Sequence, residues 1–170
     1  MEKISWIKEL VKAEQQVEDS RAFETSFDFD TERVLTQESV QFLLELKTEF
    51  TDLCSSFNEM KHSPLGRIKI FGIAKTHADF MLFRNGYKMI FTLLDLGRIN
   101  IKFTFTGANY IPTMGQADTT GAGANVIEED MVEAKWGAFG ELIWTHKNLP
   151  VKLEYMVRHY MTLFIKESSK

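Results

Sequence analysis

Cysteine occurs once in this 170-residue chain, at Cys54, so no internal disulfide is available and the multi-cysteine sites of zinc ribbons and fingers are excluded. Histidine is nearly as scarce. His62, His77, His146 and His159 are the four present, and no two are spaced three or four residues apart, so no helical histidine pair can hold a metal. Apolar runs are short as well, none approaching the roughly 18 residues of a membrane-spanning helix. The opening stretch, MEKISWIKELVKAEQQVED, breaks its apolar residues with charges and so lacks the core of a secretory signal. These absences predict a soluble cytoplasmic protein with no metal, no cofactor and no membrane insertion.

Catalytic signatures are missing too. There is no G-x-S-x-G elbow, no Gly-Lys-Ser/Thr ending of a phosphate loop and no G-x-G-x-x-G. Cys54 falls on an apolar helical stripe, where a thiol packs and does not react. The Gly-rich stretch from Thr106 to Asn125 contains Asp118 and Tyr110 as its ionisable residues, and Glu128, Glu129, Asp130 and Glu133 follow it closely. An anion there would rest on backbone amides alone, against a negative field.

What is plentiful is phenylalanine, 14 residues, within a composition of 44% hydrophobic and 26% charged residues. That is a globular average, and the rings point to an aromatic core or a partly apolar cavity. The length suits one domain spanning residues 1–170. Charge is unevenly distributed: residues 1–60 hold 6 Lys and Arg against 14 Asp and Glu, and residues 62–106 hold 7 against 2. An acidic first third is followed by a basic middle.

Ile4, Ile7, Leu10 and Val11 keep a helical period, predicting an amphipathic helix that ends near Ser20. Residues 21–35, with Phe23, Phe27 and Phe29, lack that period and read as an irregular connector. A second helix is predicted after a Thr36 cap, its stripe of Val40, Leu43, Leu44, Phe50, Cys54 and Phe57 reaching about Met60. Pro64 and Gly66 end it. From Arg67 the period becomes two, predicting strands at 67–75, 78–84, 87–94 and 98–106, with Asn85-Gly86 as a tight hairpin turn. A three-residue turn at Asp95-Leu96-Gly97 pairs Leu94 with Arg98 and Leu93 with Ile99. In that register Phe80, Leu82, Tyr87, Met89, Phe91, Leu93, Ile99, Ile101, Phe103 and Phe105 share a core face. The acidic run after Asn125 reads as a possible helix start, residues 135–146 as a fifth strand stopped by Asn148-Leu149-Pro150, and Leu153 onward as a closing helix with Pro150 near its start. The architecture expected is α+β: two N-terminal helices, an antiparallel meander of four to five strands, and a C-terminal helix packed on one sheet face.

The opposite sheet face collects Lys88, Arg98, Asn100 and Lys102, with Thr92 and Thr104, and Asp79, Met81, Phe83 and Ile90 to one side. The leading expectation is therefore a small non-enzymatic binding or regulatory protein. It engages an acidic protein or anionic partner through this basic face and through Tyr110 and Met114 of a mobile loop. A competing account is internal, with the acidic first third neutralising the face. Two alternatives are an enzyme with a pocket between sheet and helices, using His77, Asp79 and His146, and a single-stranded nucleic-acid binder, which the net charge of −4 disfavours.

Overall fold

The structure, a computed structural model, describes residues 4–20, 30–73, 78–107 and 125–170. Contacts divide the chain into two units, Met1–Val34 and Leu35–Lys170. In the first, helix α1 (Ser5–Ser20) begins and ends as its apolar spacing predicts, and Ile4, Trp6, Ile7, Leu10 and Val11 stand exposed. Helix α2 (Asp30–Lys61) starts well before Thr36, which lies inside it and not at its cap. Residues 30–35 of the expected connector are thus helical, and Glu32 in the first turn meets the positive end of the helix dipole. Phe23, Phe27 and Phe29 lie outside the described residues.

From Leu35 onward α2 turns Phe42, Leu43, Leu46, Phe50 and Cys54 inward at helical spacing. His62 follows in the left-handed region at φ 55°, and the helix stops. Asn58 then bridges to the returning chain, its amide donating to the Ile68 carbonyl at 2.9 Å while its own oxygen accepts from the Ile68 amide at 2.8 Å.

The sheet has seven antiparallel strands in sequence order: β1 (Lys69–Gly72), β2 (Phe80–Arg84), β3 (Tyr87–Asp95), β4 (Arg98–Phe105), β5 (Asn125–Trp136), β6 (Leu142–His146) and β7 (Leu149–Pro150). Asn85 and Gly86 make the β2–β3 turn with φ of 51° and 82°, as a twist-matched two-residue hairpin requires. Leu93 pairs with Ile99 as expected, and Phe91 with Ile101, Met89 with Phe103 and Tyr87 with Phe105 follow from it. One detail differs. A bulge between Leu93 and Asp95 sets Asp95 opposite Arg98, so the turn is Leu96-Gly97 and Leu94 is left unpaired and exposed. Ser39 holds that turn to α2, donating to the Leu35 carbonyl at 2.6 Å and accepting from the Gly97 amide at 2.9 Å.

The acidic stretch after Asn125 is a 12-residue strand and does not open a helix. Its acids fall on both faces of the sheet, which hides the alternation by which a strand is read. What was expected as one strand over 135–146 is the end of β5, a turn through Gly140 at φ 82°, and β6. β6 ends at His146, as expected. Lys147 and Asn148, at φ 50° and 67°, form another tight turn into β7, whose Pro150 lies near the helix start, just ahead of the capping residue Lys152.

Helix α3 (Leu153–Ser168) buries Met156, Val157, Tyr160, Met161 and Phe164 against the same sheet face as α2. Rings dominate this core. Phe80 stacks on Phe91 with centroids 4.7 Å apart, Phe50 tilts against both, Phe103 meets Phe164, and Phe42 stacks on Trp144 at 4.4 Å. At the far end of α3, Arg84 donates to the Gly66 carbonyl at 2.7 Å and to the Ser168 hydroxyl at 3.1 Å. Asn85 donates to the Ser168 carbonyl at 2.9 Å. The β2–β3 hairpin thereby holds the helix C-terminus, where cationic donors are favoured.

Candidate functional site

Short β7 and the turn before α3 leave a cleft of about 590 Å³ between the end strands and that helix. Val132 on β5, Pro150 and Val151, and Met156 on α3 form its apolar walls, and His146, Lys152, Tyr155, His159 and Tyr160 bring polar groups to it. Tyr155, Met156 and His159 are placed there by helix geometry, since residues three and four apart fall on one face. Lys152 is the residue before the first helical turn, with extended backbone and no side-chain cap bond, so its ammonium stands near the positive end of the α3 dipole.

Two of the polar groups are oriented by neighbours. His146 places Nδ1 3.2 Å from the Met131 carbonyl. A carbonyl only accepts, so that nitrogen carries the proton and Nε2 is the acceptor of the neutral ring. Tyr160 donates its hydroxyl to Asp130 Oδ2 at 2.8 Å. Burial first, then the bond to Asp130 and the charges of Asp130 and Glu128, push the Tyr160 phenol far above its ordinary value, so it stays a donor. Asp130 and Glu128 project onto the helix side of β5, opposite Ile101 and Phe103. Burial and the neighbouring Asp130 carboxylate raise the Glu128 carboxyl above its usual range, while His159 and Lys147 pull it the other way. The ring of His159 stands edge-on to that of Tyr160, 5.0 Å between centroids.

Of the candidate site residues proposed from sequence, namely His77, Asp79, His146, Lys88, Arg98, Asn100, Lys102, Tyr110 and Met114, His146 alone among the described ones lines this cleft. Asp79 is fully buried and accepts from the Leu93 amide at 3.1 Å. It lies beside β2, four strands from His146, or roughly 19 Å at ordinary strand spacing. His77, Tyr110 and Met114 lie outside the described residues. Lys88, Arg98, Asn100 and Lys102 do share the sheet face away from the helices. They differ in access: Lys88 is 3% exposed, Asn100 and Lys102 are half-buried, and Arg98 is exposed. Thr92 and Thr104 are buried there too, and Ile73, Met81 and Ile90 form a second apolar cluster with Phe71. Across the β4–β5 ladder Arg98 faces Glu133 and Lys102 faces Glu129. Acids of β5 therefore sit directly opposite these cations, a favourable cross-strand arrangement.

Cys54 is buried and its thiol is pushed up to about 12 by desolvation, so it has no accessible nucleophile to offer. Among the described residues no group of three His, Cys, Asp or Glu side chains is placed to hold a metal ion, and no helix is long and apolar enough to cross a membrane. The cleft-forming set of Lys152, Tyr155 and His159 was visible in sequence as a spacing on the last helix. Nothing there distinguished it from a solvated face, because the opposing wall comes from the unrecognised turn at Lys147 and Asn148. Comparison with known proteins finds no matching family model, curated protein or solved structure, so the geometry stands alone.

Proposed function

We propose that the chain is a small binding protein whose ligand occupies the cleft between β6, β7 and α3. The observation that carries this reading is the cleft itself. Its volume of about 590 Å³ lies within the range of small-molecule sites, its walls are largely apolar, and its polar side chains converge from one helix face and one strand end. Two of them, His146 and Tyr160, are already fixed in orientation by hydrogen bonds, which lowers the ordering cost of binding. The basic sheet face supports a second reading, recognition of an acidic protein, on the strength of exposed Arg98. It is the weaker of the two, because Lys88 is withdrawn from solvent and Lys102 faces Glu129.

A neutral solvatochromic naphthalene dye tests the first reading. Its emission rises saturably with the wild-type protein at one site per chain, and Val151→Trp, which fills the cleft from a half-buried wall position, abolishes the rise with the circular dichroism unchanged. Undiminished saturable binding to that variant refutes the reading.

A further inference from the structure

The chemistry of the cleft also selects among ligands. Resting on the reading above, we infer that its occupant is a small monocarboxylic acid, with an apolar body against Val132, Val151 and Met156 and its carboxylate held by Lys152 and His159. No aspartate or glutamate is among the residues that line the cleft, whereas a lysine and two imidazoles are. Lys152 at the cap and His159 on α3 both line the cleft, about 10 Å apart along the helix axis. Both side chains open onto the same cleft, so a carboxylate there is offered to both.

The nearest acids do not supply a competing anion at the wall. Asp130 receives the hydroxyl of Tyr160, so that the phenol, and not the carboxylate, lines the cleft. Glu128, raised by burial and by Asp130 and pulled down by His159 and Lys147, is not among the residues that line the cleft. An amine would meet the Lys152 charge with no lining carboxylate to offset it. An alcohol leaves that ammonium without a charged partner and forgoes the stronger charge-assisted bond. The acceptor Nε2 of a neutral His146 suits a further hydroxyl on the ligand but does not require one.

The test uses three probes with the same apolar body, hexanoate, 1-hexanol and hexylamine, titrated into the full chain while methyl resonances are followed by NMR. Hexanoate is expected to move the Val132, Val151 and Met156 methyls and to bind about tenfold more tightly than hexanol, the scale of one charge-assisted contact. Lys152→Met is expected to remove that advantage, so that hexanoate binds the variant no more tightly than hexanol does. The variant should fold, since Lys152 is exposed and makes no side-chain cap bond. Hexanol or hexylamine matching hexanoate overturns the acid assignment while leaving the cleft as a site, and so does unaltered hexanoate affinity in Lys152→Met. No shift from any of the three probes overturns the cleft reading as well.

Discussion

Tyr160→Phe removes one hydroxyl and leaves the packing of its ring in place. The edge contacts with Phe91 at 6.1 Å and His159 at 5.0 Å belong to the ring and survive the change. What is lost is the donor to Asp130 Oδ2 at 2.8 Å. Because burial holds the Tyr160 phenol well above its ordinary pKa, the hydroxyl keeps its proton at neutral pH and the bond is present there. A hydrogen bond to a charged acceptor contributes about 1.5–3 kcal/mol net, and that is the expected cost of the substitution. For a folded unit of this size each kcal/mol lowers Tm by about 2–4 °C, so the variant should melt about 3–12 °C below wild type. Urea denaturation of wild type, Tyr160→Phe, Asp130→Ala and the double variant, read by the buried Trp144, closes a cycle that isolates the pair. A single-variant cost under about 0.5 kcal/mol, or two effects that simply add, would show that the hydroxyl and carboxylate do not interact as described.

Glu128→Gln tests the neighbouring acid through pH. A carboxyl raised in the folded state holds its proton more tightly than in the unfolded chain. Its protonated form therefore favours folding fully below the ordinary carboxylate range, and that advantage is lost as pH rises through the folded value. Glutamine cannot ionise, so Tm measured across pH 3–8 should show the variant gaining on wild type toward neutral pH; a gap that closes instead contradicts the assignment. Gly97→Ala probes the β3–β4 turn: φ is +74° and an added Cβ meets Leu35 at 3.1 Å and Ala134 at 3.3 Å. The left-handed conformation alone costs a non-glycine residue about 1–2 kcal/mol, so chemical denaturation should show at least that loss, and a neutral outcome would mean the turn is built differently.

The middle of the fold was legible because its signals are local. Asn85-Gly86 admits few conformations, and once Leu93 faces Ile99 the rings of β2, β3 and β4 have one side to occupy. Thr36 misled because a capping residue is also a tolerable interior residue when an acid-led turn precedes it. Glu128 to Asp130 concealed β5 because strand reading assumes polar residues outward, and here two acids face the helix side, one satisfied by Tyr160 from 30 positions later. Lys147 is a poor turn signal, since a lysine at positive φ carries no marker in sequence. Its hairpin with β7 shapes the wall of the cleft, so the candidate site could not be assembled before the fold was known. The basic face was read in correct phase, but its access depended on neighbours: the acids of β5 and the second apolar cluster around Ile90.

Ser168 is gripped at both its hydroxyl and its carbonyl by a hairpin formed more than eighty residues earlier. During synthesis on the ribosome the β2–β3 hairpin is made early, yet Arg84 has no helix terminus to grasp until position 168 has emerged. These contacts therefore wait on the helix terminus, and α3 acts as a latch on the β2–β3 turn.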